Sequence, residues 1–206
     1  MEFDLIIHGG QVVTAEGVYS WDIGVCSGII CALGDLTGAV GAETIDASRL
    51  FILPGVVDPH CHFREPGPED EEDFSTGTRA AAAGGVTTVL EQPVDTPPTT
   101  TVERFQEKVA RIAPKSYVDY GLWGGVVPDN LDDIEKLAAA GACAFKAFIV
   151  SSDPLYPMVD DGVLLSAMLK VKPTGKLLAI HCENQAIIDF YSERLSRLDS
   201  VAPIEH

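Results

Sequence analysis

From Leu50 onward the sequence alternates strand-like and helix-like segments, and that alternation restricts the fold more than any other feature. Apolar, often β-branched runs recur near residues 55, 88, 120, 146 and 179. The first of them, 51–58, is interrupted by Pro54-Gly55, and Val86-Thr87-Thr88-Val89-Leu90 is the clearest. Helical stripes fall between them. Thr76 to Ala83 is stopped by Gly84-Gly85. Val102, Phe105, Val109 and Ile112 share one face behind a Thr100/Glu103 capping box. Leu131, Ile134 and Leu137 follow Asn130 as N-cap and end at Gly141. Val163 to Val171 and Ile187 to Leu198 complete the series. Continuous apolar strands separated by helices require a parallel sheet covered by helices. The even spacing favours a (β/α)₈ barrel over an open sheet. A complete barrel takes about 250 residues, so the stretch from 51 to 206 reads as a partial barrel.

Residues 1–50 follow a different grammar. Short strands at 3–7, 11–14, 21–25 and 29–33, punctuated by glycine, suggest part of a small β-sandwich. The expected organisation is therefore a β-sandwich segment over 1–50 followed by an α/β barrel segment over 51–206.

Composition narrows the function. Hydrophobic residues make up 46% of the 206, enough for a substantial core. The net charge of −17 repels phosphate backbones and anionic headgroups, so neither nucleic acid nor a membrane is expected as partner. No apolar stretch approaches the roughly 18 residues of a membrane span, and the acidic N-terminus lacks the layout of a secretory signal. The five cysteines (26, 31, 61, 143 and 182) form no CxxC pair, which points to reduced thiols and a cytoplasmic protein.

The residues with chemical potential stand at strand ends. Asp58-Pro59-His60-Cys61-His62 closes the first barrel strand. Alternation puts His60 and His62 on one side and Cys61 on the other, an arrangement suited to chelating one metal ion or to two ordinary surface histidines. His181 follows the apolar strand 177–180 and belongs to the same rim, where barrel active sites lie. Its neighbour Cys182 is a weaker ligand candidate. Lys146 interrupts the otherwise apolar 142–149. It either reaches solvent from an edge or is buried with a lowered pKa. A neutral buried amine reacts with carbon dioxide to give an anionic carbamate whose two oxygens can bridge two metal ions. Three histidines and one carbamate would form most of a binuclear site. The acidic run Glu69-Asp70-Glu71-Glu72-Asp73 reads as a solvated loop and helix start, and His8 and His206 as incidental.

These motifs resemble the cyclic amidohydrolases: allantoinase, dihydroorotase and dihydropyrimidinase (hydantoinase). The resemblance is carried by Pro54-Gly55-Val56-Val57-Asp58-Pro59-His60-Cys61-His62, by 76–88, by Phe145-Lys146-Ala147-Phe148 and by His181-Cys182-Glu183-Asn184, and it runs from Phe3 to about Ala202. It implies a metal-dependent (β/α)₈ barrel with an appended β-sandwich and two Zn²⁺ ions (or another divalent metal). His60, His62 and His181 are the implied ligands, with carbamylated Lys146 as the bridge. The implied reaction opens a small cyclic amide or ureide by attack of a metal-bridging hydroxide. The resemblance further implies that a fourth histidine ligand and a catalytic aspartate lie beyond His206, so the 206-residue chain is expected to be inactive alone. A homo-oligomeric full-length parent is also implied. The stretch 118–130 is similar to allantoinase, an enzyme of purine catabolism. His62-Phe63-Arg64-Glu65-Pro66-Gly67 is similar to dihydroorotase, of pyrimidine biosynthesis, where the arginine grips the substrate carboxylate. Gln92-Pro93-Val94 lacks the asparagine that usually completes that grip. Allantoin is therefore the expected substrate and Arg64 a candidate substrate-binding residue. Dihydroorotase, dihydropyrimidinase and a non-catalytic structural relative remain as alternatives.

Overall fold

A computed structural model describes residues 2–151, 153–198 and 202. The chain divides into two compact units, one ending at Gly55 and the other beginning at Val56. His206 lies outside the described residues.

The first unit is all-β. Its strands are β1 (Phe3–His8), β2 (Gln11–Val13), β3 (Val18–Tyr19), β4 (Asp22–Cys26), β5 (Ile29–Gly34), β6 (Gly41–Asp46) and β7 (Phe51–Ile52). They form a four-stranded sheet of order β5-β4-β1-β6 and a three-stranded sheet of order β3-β2-β7. The hairpin between β4 and β5 turns through Ser27 and Gly28, both at positive φ. It joins Cys26 to Cys31 as a disulfide with Cα atoms 6.0 Å apart, an ordinary span for such a bond. This corrects the expectation of five reduced thiols: residues five apart meet because the turn folds the chain back, which spacing alone does not reveal. Cys61, Cys143 and Cys182 are free.

The second unit is the expected α/β layer structure. It contains β8 (Val56–Cys61), α1 (Phe74–Ala83), β9 (Val86–Glu91), α2 (Val102–Ile112), β10 (Asp119–Gly125), α3 (Ile134–Ala140), β11 (Ala144–Phe148), α4 (Asp161–Val171), β12 (Leu177–His181) and α5 (Gln185–Leu195). The five strands pair in sequential order, all parallel, as successive strands of a half-barrel do. β8 and β12 are the sheet's two edges, and apolar side chains stay exposed there and on α5, among them Val56, Val57, Leu177, Ile187 and Phe190.

Side-chain caps set the helix starts. Asp73 and Thr76 form a reciprocal capping box on α1, Asp160 caps α4 and Asn184 caps α5. Two sequence-based expectations are corrected. The cap of α2 is Thr101, not Thr100, whose hydroxyl instead accepts from Arg104. Asn130 makes no helix cap. Its amide accepts from Val127 N at 2.9 Å and donates to Thr100 O and Gly125 O, both at 2.8 Å. Two short-range bonds and one to Thr100, thirty residues away, outweigh one helix cap. Gly141 ends α3 as expected, at φ +116°, a conformation that other residues adopt only with strain.

The main core lies between sheet and helices and includes Phe74, Val89, Phe105, Ile112, Leu122, Ile134, Leu137 and Phe145. A smaller cluster of Val94, Val127, Phe148, Val150 and Tyr156 packs past the C-terminal strand ends.

Candidate metal and catalytic centre

The ladder assigns each strand-end side chain to one face. Cys61, Glu91 and Leu122 are consecutive partners, as are Trp123 with Ala144, Gly125 with Lys146 and Ala179, and Phe148 with His181. Alternation then puts Cys61 and Glu91 toward the helices and Trp123, Lys146, Phe148 and His181 on the opposite face. His60 and His62, flanking Cys61, fall on the Lys146 face. The four residues expected to ligate metal thus share one face of the parallel sheet, His60, His62 and His181 at the strands' C-terminal ends and Lys146 in the middle of β11.

At the end of β8, Asp58 Oδ1 accepts from His60 N at 3.0 Å. The His60 and His62 ring centres are 5.2 Å apart, tilted by 48°. Imidazole nitrogens about 2.1 Å from a zinc put each ring centre about 3.2 Å from it, and a tetrahedral angle then separates the centres by about 5 Å. The observed pair meets that spacing. Lost hydration, then the charges of Lys146 and His181, hold His60 below the usual histidine value against an opposing pull from Asp58. Lost hydration, then His60, Arg64 and Lys146, bring His62 down to about 4. Both rings are therefore neutral near pH 7, the form that ligates metal. Cys61 is pushed far up by burial and by Glu91, so it stays a thiol and is a poor ligand.

Lys146 is only 4% exposed, in a strand whose five residues are all buried. Among the described residues it has no carboxylate within 4 Å. Its Nζ lies 5.2 Å from the Phe148 ring centre. Burial lowers its pKa, against weaker opposing pulls from Cys182 and Glu183. The Lys146 carbonyl accepts from Val126 N at 2.8 Å and from the Tyr156 hydroxyl at 2.6 Å. His181 stacks on the same Phe148 ring, centres 4.9 Å apart and 16° from parallel, and its Nε2 faces Glu183 Oε2 at 2.7 Å. Phe148 is thus a common wall for Lys146 and His181.

Among the described residues, no three His, Cys, Asp or Glu side chains gather closely enough to enclose a metal ion. The donor chemistry nevertheless fits a divalent metal. Two neutral imidazoles stand at chelating distance, a third histidine is close enough to shift the first, and the buried Lys146 side chain has no carboxylate within 4 Å among the described residues. Arg64 is exposed, with φ +56°, and its charge acts on His62. Among the described residues its guanidinium has no ion-pair partner. A Cβ at Gly67 would lie 2.2 Å from Arg64 O, so the turn after Arg64 admits only glycine there.

The supports of this site carry no sequence motif. Glu91 ends β9 and is 1% exposed. Its carboxylate accepts from Phe63 N at 2.9 and 3.0 Å, from Arg64 N at 2.9 Å and from Cys61 Sγ at 3.4 Å. Lys108 on α2 lies 3.6 Å from Glu91 and 2.7 Å from Asp95. A charge at the end of a β-branched run was a signal of the kind that marked Lys146. Glu65, also fully buried, accepts from Phe74 N at 2.9 Å and from Arg111 Nε at 3.0 Å, and pairs with Lys115. Burial pushes its carboxyl up, but Lys115, Phe74 N and Arg111 outweigh that and hold it below its ordinary value. The acidic run is partly engaged rather than purely solvated, with Glu69 on Arg111 and Asp73 on Lys115.

Residues 49–192 match the family described as dihydro-orotase-like. The chain is 43% identical over 195 residues to an allantoinase of Rubrobacter xylanophilus, covering 93% of this chain and 42% of that protein. It is 41% identical to an allantoinase of Deinococcus radiodurans, covering 89% and 42%. The solved L-hydantoinase (dihydropyrimidinase) of Arthrobacter aurescens superposes with a TM-score of 0.91 at 34% identity, over 96% of this chain and 45% of that one. The chain therefore spans about two-fifths of the length of these curated relatives.

Proposed function

Because the chain belongs to the dihydro-orotase-like family, we propose that these strand ends form part of a metal-dependent centre that hydrolyses an amide bond within a small ring, allantoin being the best-supported substrate. The observation that carries the reading is the buried Lys146 side chain, with no carboxylate within 4 Å among the described residues, on the face that also bears His60, His62 and His181. The names of the relatives support ring-amide hydrolysis, and allantoinases among them support the ureide. His60, His62 and His181 would hold the metal through their ring nitrogens. Lys146 would take up carbon dioxide, forming an N–C bond and releasing one proton, and would hold two cations through the carbamate oxygens. A bound divalent metal supplies Lewis acidity and makes water a nucleophile at neutral pH. The chain's own residues orient and desolvate: Phe148 walls the site between Lys146 and His181, and Tyr156 fixes the Lys146 backbone. The 206-residue chain alone is proposed to bind metal without turnover.

A second reading, dihydroorotase, is favoured by one feature: Arg64 stands exposed beside His62 with no carboxylate partner among the described residues, free to meet a substrate carboxylate. Two measurements test the proposal. Dialysis against zinc with bicarbonate, followed by metal analysis and ¹³C NMR, is expected to show bound zinc and a lysine carbamate that Lys146→Ala lacks. Ring-opening assays on allantoin, dihydroorotate and dihydrouracil, using a protein that carries these residues with a complete barrel, are expected to favour allantoin. No zinc uptake would overturn the metal reading; preference for dihydroorotate would move the substrate to the second reading.

A further inference from the structure

Glu91 presents an apparent extravagance. It belongs to a set of three buried charges, with Lys108 and Asp95, whose side chains are each at most 1% exposed. Asp95 also accepts from Thr99 Oγ1 at 2.6 Å. Desolvating such a set is costly, and apolar residues of similar volume commonly serve stability as well or better. The Glu91 carboxylate does something an apolar residue cannot. Its oxygens take the backbone N–H groups of Phe63 and Arg64 and the thiol of Cys61, the residues that flank His62. Gln92 N closes the same corner by donating to Cys61 O at 2.9 Å. The chain turns there through Arg64 in the left-handed region, a conformation that a non-glycine residue keeps only when its surroundings hold it. Glu91 approaches this corner from the helix side, so it never reaches the His60–Lys146 face.

We infer that Glu91 is a positioning residue: held by Lys108, it fixes the 61–64 corner and thereby the separation and tilt of His60 and His62 at the metal. Lys108 neutralises the carboxylate, and Asp95 and Thr99 hold Lys108 in place. The inference rests on the metal reading of the site and adds the part that presets its geometry. Partners that orient ligating histidines typically contribute 10–100-fold to metal affinity.

The test uses the whole 206-residue chain and two variants. Glu91→Gln leaves the Lys108–Asp95 pair charge-balanced but puts an N–H donor against backbone N–H groups. Ile134→Val trims one methyl from the core at α3, outside the buried ion set and residues 61–64. Zinc affinity is read by competition with a chromophoric chelator, ligand geometry from the visible spectrum of the cobalt-substituted chain, and stability from urea unfolding. Glu91→Gln is expected to weaken zinc binding about 10–100-fold and to change the cobalt spectrum. Ile134→Val is expected to lower the urea midpoint while leaving zinc affinity within twofold and the spectrum unchanged. Equal loss of affinity in both variants would reduce Glu91 to general stabilisation and overturn the inference. So would unchanged affinity and spectrum in Glu91→Gln. A wild-type chain that binds no zinc would bring down the metal reading and this inference together, whereas the variant results bear on Glu91 alone.

Discussion

Lys146→Met in metal-free, bicarbonate-free buffer isolates what the buried amine costs the fold. Lys146 is 4% exposed, and among the described residues no carboxylate lies within 4 Å. Besides the weak pulls of Cys182 and Glu183, it has the Phe148 ring at 5.2 Å, worth about 0.5–2 kcal/mol. Methionine fills nearly the same volume without a charge to desolvate, and replacing poorly compensated buried charge by an apolar isostere typically gains about 1–4 kcal/mol. Subtracting the ring contact leaves an expected stabilisation of about 0.5–2 kcal/mol. For a chain of this size that raises the unfolding midpoint by about 1–8 °C. Urea and thermal unfolding followed by tryptophan emission measure it, because Trp123 is buried in β10 of the same unit. Zinc with bicarbonate should then reverse the order, since a ligand that binds only the folded state adds stability in proportion to ln(1 + [L]/Kd). A loss of 1 kcal/mol or more in Lys146→Met, with native near-ultraviolet dichroism, would refute the reasoning, because it would make Lys146 a structural residue rather than one retained for chemistry.

Asn130→Ala should cost about 3–5 kcal/mol in urea unfolding, because it orphans Val127 N, Thr100 O and Gly125 O together. Gln92→Leu should gain about 1–2 kcal/mol, since both polar atoms of the Gln92 amide are buried without a partner among the described residues; a loss would show that solvent satisfies them. His62 is held at about 4 in the folded chain against an ordinary value near 6.5. The unfolded chain then binds the extra proton between those values. Metal-free stability should fall as pH drops from about 6.5 to about 4, and His62→Gln should flatten that slope; an unchanged slope would contradict the depressed value.

The parallel layer was legible because its signals are local. The Val86–Leu90 run has strand chemistry, Gly141 must adopt a left-handed cap, and a lysine inside 142–149 contradicts its neighbours wherever it is read. His60 and His62 were visible because the strand period alone puts them on one side. What stayed hidden depends on folded geometry that local composition does not specify. Asn130 has the composition of a helix cap, and only the approach of Thr100 and Gly125 diverts its amide. Lys108 lies among the apolar positions Phe105, Val109 and Ile112 and reads as a helix-surface lysine until Asp95 is brought to 2.7 Å. The Cys26–Cys31 bond needs the Ser27–Gly28 turn, whose positive φ values are settled by the hairpin and not by the cysteine spacing.

Strand parity divides the labour at these ends. Odd and even neighbours on β8 and β9 face opposite sides, so each chemical side chain has a structural one beside it. His60 and His62 bracket Cys61, whose raised pKa keeps it a buried thiol against Glu91. Lys146 stands between Phe145 and Ala147, both in the core beneath the helices. A one-residue slip of β9 against β8 would therefore turn Glu91 onto the histidine face and leave Lys108 without its second carboxylate. The Lys108 pairings penalise that slip, because α2 holds the ammonium at a fixed height beside Asp95. The buried ion set thus acts as a register lock as well as a support for the corner at His62. This accounts for an unfavourable charge cluster in the layer where apolar packing would otherwise suffice.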